Sequence, residues 1–234
     1  MPVLAHLEDL RRCLLRSALF IVAAFALCVY FAAPLFNFLA SPLSQAMGGT
    51  KLAYTNLTDP FMLYLKVGFI GALFVSFPFL MLQLWLFISP ALYPRERRWA
   101  VPFVACTVIL FYLGAWFGFA VLFPVMVQFF VVLGKDFQPI ITIREYFSLA
   151  TKLLVGMGLA FETPTLMFFF SLVGLTNARF YLKHFKIAFL LIFILAAIIT
   201  PTPDMVTQTM LAVPMLALYL VGTAAAALAP RRRA

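Results

Sequence analysis

Six apolar runs of spanning or near-spanning length dominate this chain: Leu14–Phe36, Phe61–Ser89, Trp99–Leu122, Phe147–Leu172, Phe185–Thr200 and Val206–Leu228. About 20 apolar residues in a helix cross the roughly 30 Å hydrocarbon layer of a bilayer. Hydrocarbon offers the backbone no hydrogen bonds, so such runs must be helices that satisfy their own N–H and C=O groups. We therefore read the chain as all-α and polytopic. Only 11% of the residues are charged and the mean hydropathy is +1.06, whereas a soluble domain carries roughly 25% charged residues. No repeat or soluble segment interrupts the runs, and residues 1–234 are read as a single transmembrane domain.

The net charge of +9 points to orientation and not to nucleic acid, because the basic residues stand in small clusters between the apolar runs. Arg11, Arg12, Arg16, Arg95, Arg97, Arg98, Arg179, Lys183, Lys186, Arg231, Arg232 and Arg233, 12 of the 17 bases, fall on one side. Lys51, Lys66, Lys135, Arg144 and Lys152 fall on the other, among Asp59, Asp136, Glu145 and Asp204. The positive-inside rule then places both termini in the cytoplasm. The first run exceeds the apolar core of a signal peptide and is expected to stay as a span. Cys13, Cys28 and Cys106 lack metal-ligand spacing and read as small hydrophobes. No phosphate-binding loop, metal cluster or nucleophile elbow is present, so neither an enzyme nor a cofactor is expected.

Three irregularities carry structural expectations. The third run extends past Pro124 to Leu133, with a kink expected at the proline. The fifth and sixth runs are short. Between Lys186 and the Thr200–Asp204 turn lie only about 14 apolar residues, roughly 21 Å of helix, so these two spans are expected to thin the bilayer locally. The outer loops, about 37–60 and 134–146, are long, and Phe36, Phe38, Leu39, Leu43 and Met47 among polar residues point to a short interfacial helix broken by Pro42.

Polar residues in and beside the spans supply the candidate chemistry. Glu162, near the middle of span four, costs at least about 2.5–3.5 kcal/mol to insert as a carboxylate. It faces a wet cavity, or it is neutral and bonded to a hydroxyl or to Gln83. Gly156 and Gly158 allow close helix approach beside it, and Pro164 frees a carbonyl near Ala160. Asp204 fits the cap of the helix that follows, and Gln208 can carry polar contact one turn into span six. Lys66 reads as a snorkelling anchor, and His6 and His184 as solvated interfacial histidines. On the basic side the acids are Glu8, Asp9 and Glu96. Glu8 can pair with Arg12 at i,i+4, and Glu96 with adjacent arginines. Two such carboxylates on one face can equally hold paired guanidiniums of a partner, and spacing alone does not choose.

The chain resembles the TatC family, the receptor subunit of the twin-arginine protein translocase, over nearly its whole length. The family's amino-terminal His-Leu-x-Glu-Leu-Arg is represented by His6 to Arg11, its Phe-x-x-Pro-Ala-Leu-Tyr-x-x-Glu by Phe87 to Glu96, and its Phe-Glu-x-Pro by Phe161 to Pro164. Its Pro-Asp-x-x-Ser/Thr-Gln appears as Pro203 to Gln208, followed by Leu211-Ala212-Val213-Pro214-Met215. The resemblance implies a glove-shaped six-helix protein of a prokaryotic inner membrane that binds twin-arginine signal peptides. It implies oligomeric work with single-span TatA-type and TatB-type partners, and export of folded proteins driven by the protonmotive force. It assigns the arginine pair to Asp9 and Glu96, with Arg11 and Phe87 nearby, and puts Glu162 on the concave face. The chain departs from the pattern in having Asp9 where the family has Glu, a role that neighbouring Glu8 can share, and in the apolar Leu218-Tyr219-Leu220 where many members have an acid shortly after. The competing readings are a proton-coupled small-solute carrier using Glu162 and a structural scaffold. Six unequal spans without an inverted repeat count against the carrier.

Overall fold

The computed structural model describes residues 3–46, 52–88, 100–136, 140–200 and 204–229. Its elements are α1 (Val3–Tyr30), α2 (Ala32–Ala46), α3 (Asp59–Ile88), α4 (Ala100–Phe117), a π-turn (Gly118–Leu122), α5 (Phe123–Leu133), α6 (Ile143–Phe161), α7 (Thr163–Leu172), α8 (Ala178–Lys183), α9 (Phe185–Ile199) and α10 (Met205–Leu228). Five continuous helical stretches are long and apolar enough to cross a membrane: Leu7–Tyr30, Asp59–Ile88, Val101–Leu133, Ile143–Leu172 and Met205–Leu228. The remaining expected span, Phe185–Ile199, is apolar but only 15 residues long.

The chain divides into two compact units, Met1–Val108 with Pro139–Phe147 and Ile109–Gln138 with Ser148–Ala234. In the first, α1 and α3 run antiparallel. Gly68 sits on Val29, Gly71 sits on Cys28 and Leu35, and Phe20 stacks on Phe79 with ring centroids 4.3 Å apart. The first span ends at Tyr30, six residues before the expected Phe36. The following residues open α2, which starts earlier than the expected interfacial helix and passes unbroken through Pro42. Its continuity has a local cause. Proline donates no N–H to the carbonyl four residues back, and the hydroxyl of Ser41 donates to that carbonyl, Phe38 O, at 2.7 Å.

The segments of this unit around Ala53 and Thr142 are tied together. A parallel bridge joins Ala53 and Thr142, with Ala53 N–H donating to Ile141 O (3.1 Å) and Ile143 N–H to Ala53 O (2.8 Å). Asp59, in the first turn of α3, accepts the backbone N–H groups of Thr55 and Asn56 at 3.2 and 2.9 Å. The buried phenol of Tyr146 donates to Leu39 O at 2.9 Å and so fastens α2.

In the second unit the backbones of α4 and α6 touch. A Cβ at Gly114 would lie 2.5 Å from Met157 O, and one at Gly118 2.8 Å from Leu153 O. Two small residues four apart let helices approach this closely in a bilayer. Phe111, Phe123, Met126, Leu153, Met157 and Leu211 are each under 2% exposed in the resulting core. The kink expected at Pro124 takes the form of the π-turn: Phe123 N–H donates to Gly118 O, five residues back. That register shift occurs where the proline cannot donate.

A methyl group at Gly114 or Gly118 has no room, since the nearest atom it meets is in each case a backbone carbonyl oxygen. Gly114→Ala and Gly118→Ala should each cost about 1–3 kcal/mol, the usual price of overpacking. Gly156→Ala should cost less, because it meets the movable tip of the Ile199 side chain. Thermal unfolding of the detergent-purified chain measures this ranking.

Candidate functional site

Glu162 occupies a one-residue turn between α6 and α7. Pro164 cannot donate to Ala160 O, and the ladder tightens there. Glu162 N–H reaches back only three residues, to Leu159 O at 3.1 Å, and Leu166 N–H closes on Glu162 O at 2.9 Å. The side chain is 7% exposed, and its Oε1 is buried with no hydrogen-bond partner among the described residues. The surrounding packing is close: Gly158 against the Phe111 ring, Gly114 against Phe161, and Gly222 against Pro164 and Met167. Thus the glycines do bring helices together beside the acid, while neither a hydroxyl nor an amide satisfies that oxygen. Two polar atoms in the other unit share this condition, Ser76 Oγ and Gln83 Oε1. Seven residues apart on α3, they lie on one helix face. The i,i+7 recurrence of polar residues within an apolar run was a signal that the sequence reading did not use for Ser76.

At the Thr200 end of the second unit, Asp204 caps α10. Its Oδ1 accepts Thr207 N–H at 2.8 Å and its Oδ2 accepts the Thr207 hydroxyl. Gln208 Nε2 donates to Phe193 O on α9 at 2.8 Å, so its amide joins the two short-loop helices inside the apolar zone. The intervening 201–203 lie outside the described residues. At the opposite end, Tyr181 and Tyr219 form a phenol chain that sequence reasoning missed. Tyr219 OH donates to Tyr181 O (2.9 Å) and Tyr181 OH to Met167 O (3.3 Å), fixing α8 to α7 and α10.

The amino-terminal acids lie in the first unit. Glu8 accepts Arg12 Nη2 at 2.7 Å on the helix surface, the pair foreseen from i,i+4 spacing. Asp9 and Arg11 are exposed, and among the described residues Asp9 makes no ion pair. Cys13 Sγ lies 3.8 Å from Gln83 O. Asp9 is one turn before Cys13 and Phe87 one turn after Gln83. In the antiparallel α1/α3 pair, the two residues therefore stand at the same end. Phe87 is half-buried. Glu96, with Arg95, Arg97 and Arg98, lies outside the described residues, as do Met47 and the carboxy-terminal arginines. No group of three or more His, Cys, Asp or Glu suited to a metal ion occurs among the described residues.

These features define a multi-pass membrane protein whose distinctive groups are an intramembrane acid, a capped short-helix turn and an acid-bearing helix end. A family model described as "Sec-independent protein translocase protein (TatC)" matches residues 5–214. The TatC protein of Koribacter versatilis is 40% identical over 238 residues, covering 100% of this chain and 88% of the relative. That of Desulforapulum autotrophicum is 38% identical, covering 93% and 81%. A solved structure described as the crystal structure of twin arginine translocase receptor TatC aligns with a TM-score of 0.87 at 30% identity. It covers 97% of this chain and 100% of that one. The chain belongs to the TatC family of Sec-independent protein translocase proteins. With that membership the solute-carrier reading of Glu162 is set aside.

Two substitutions probe these groups. Removing an unpartnered buried oxygen relieves a desolvation cost of about 1–3 kcal/mol, so Glu162→Leu should raise the melting temperature of the purified chain. It should also reduce export of a folded reporter, and Glu162→Gln should retain most of it; full export by the Leu variant would exclude a polar role. Asp204→Ala should cost about 1 kcal/mol through the lost cap, read by the same melting experiment.

Proposed function

We propose that the chain is the receptor of its translocase and binds twin-arginine signal peptides at the cytoplasmic face of a prokaryotic inner membrane. Asp9 and Glu96 each take one guanidinium of the arginine pair. Both termini face the cytoplasm, and single-span TatA-type and TatB-type subunits join it in an oligomeric complex that moves folded proteins using the protonmotive force. The observation that carries the reading is the Cys13–Gln83 contact, because it brings the helix end bearing Asp9 beside the helix end from which the Phe87–Glu96 motif departs.

The pairing of Glu8 supports Asp9 as the amino-terminal acid of the site. One carboxylate is already engaged by Arg12, whereas its neighbour is exposed and available. An exposed i,i+4 pair is worth only about 0.3–0.5 kcal/mol, so Glu8 can still exchange partners and assist. Arg11 and Phe87 frame the site, Phe87 offering an apolar contact to the residue beside the arginine pair. A carboxylate grips arginine through two parallel charge-assisted bonds, which an ammonium cannot form. Local acids of this kind overcome the repulsion of the surrounding bases only at short range, which makes binding salt-sensitive. Glu162 serves within the membrane as a polar contact for a helix brought by the peptide or by a partner subunit, with Asp204 capping α10 and Gln208 joining it to the short α9.

Photocrosslinking from probes beside Asp9 and Glu96 tests the site. Glu96→Ala and Asp9→Ala should each lower the crosslinking of a twin-arginine peptide about tenfold or more, the scale of one lost charge-assisted contact, and Glu8→Ala should lower it less. A twin-lysine peptide should label as weakly as the acid variants. Equal labelling by the two peptides would sink the bidentate mechanism.

A further inference from the structure

The side chain of Ile199, the last residue of α9, lies against Gly156 of α6, where a Cβ would come within 2.8 Å of Ile199 Cδ1. From Phe147, where the apolar run of span four begins, to Gly156 is nine residues, about 14 Å along the helix. The carboxyl end of α9 therefore stops close to half the ~30 Å hydrocarbon thickness below the start of its neighbour. A helix end at such depth exposes carbonyls that lipid cannot satisfy. Thr200 answers part of this need. Its N–H and hydroxyl donate to Ala196 O at 2.9 and 3.0 Å, and the hydroxyl also lies 3.3 Å from Ala197 O. The next carbonyl, Ile198 O, receives Lys152 Nζ at 3.5 Å.

Lys152 does more than cap. It is exposed, and among the described residues its one contact, at 3.5 Å, takes one of three ammonium donors at the outer limit of hydrogen-bond length. Lys152 is five residues in from Phe147, about 8 Å of helix, where hydrocarbon would otherwise meet a charge. The acid beyond this helix end, Asp204, accepts from Thr207 with both carboxylate oxygens and caps α10. What remains, among the described residues, is a cation with one contact beside a helix too short to reach the headgroup layer. We propose that Lys152 binds the phosphate of a phospholipid in the leaflet adjoining Thr200. The ammonium bridges that phosphate and Ile198 O, and draws the headgroup down to the truncated end of α9.

Native mass spectrometry of the full chain released from nanodiscs tests this, using phosphatidylcholine in one preparation and a phosphate-free galactolipid in another. The wild type and Lys152→Arg should retain a bound phosphatidylcholine. Lys152→Gln, which keeps a donor for Ile198 O but no charge, should fold and retain it about tenfold less, as expected for loss of one charge-assisted contact. Lys66→Met should retain it as the wild type does. The galactolipid should be retained by none, and excess inorganic phosphate should not displace the phosphatidylcholine. Equal retention by Lys152→Gln and wild type, or equal retention of the galactolipid, overturns the proposal; displacement by inorganic phosphate replaces the lipid with a free-anion site and overturns it equally. Should Lys152→Gln fail to fold, the Lys152→Arg and galactolipid arms still decide.

Discussion

Hydrocarbon supplies no hydrogen bonds, and that single constraint explains where this chain departs from regular helix. At each departure a particular group takes the place of water. Ser41 hydroxyl serves the carbonyl that Pro42 abandons, and a π-turn shifts the ladder ahead of Pro124. The ladder tightens at Glu162 ahead of Pro164, and Thr200 with Lys152 closes the end of α9. At Pro42 a neighbouring hydroxyl restores the lost bond, and at Pro124 and Pro164 the ladder itself changes register.

Once backbones are satisfied internally, lipid gives little hydrophobic reason for helices to associate, and close packing must hold them. Gly114 and Gly118 bring α4 and the π-turn onto the carbonyls of α6, and Gly158 and Gly222 bring a ring and a neighbouring helix beside Glu162. The acid sits in one of the most tightly built parts of its unit with an oxygen that the packing does not satisfy. Tight apolar contact and an unmet polar valence are opposed demands. Their coexistence is the physical ground for the polar role proposed for Glu162.

The spans were legible because membrane insertion reads a one-dimensional property, the length of an apolar run. For α9 and α10 the expected limits of 185–200 and 206–228 lie within one residue of the observed ends. Errors arose where backbone chemistry, not hydropathy, sets the boundary. The apolar run from Leu14 to Phe36 conceals the separation of α1 from α2 at Phe31, and the continuity of α2 depends on a serine hydroxyl that no hydropathy pattern reveals. Of the site, Glu162 announced itself by its cost, and Asp204 by its capping position. Spacing offered Arg12 to Glu8 at i,i+4 and to Asp9 at i,i+3 alike, and the structure shows Glu8 as the one that takes it. The function came from ordered motifs, since composition alone is shared with many membrane proteins.

The π-turn before Pro124 has a further consequence for the chain's history. An extra residue within a helix rotates everything beyond it by about 100°, so the inward facing of Phe123, Met126 and Val127 depends on those five residues being wound as they are. Loss of one residue between Gly118 and Leu122 would leave a plain α-helix with that buried face still turned inward, because the wide turn already accommodates the extra residue. The same turn is where the third span could absorb an insertion or deletion at the least cost to its own hydrogen bonding. Length variation confined to this turn thus leaves unchanged which side of the span belongs to the core.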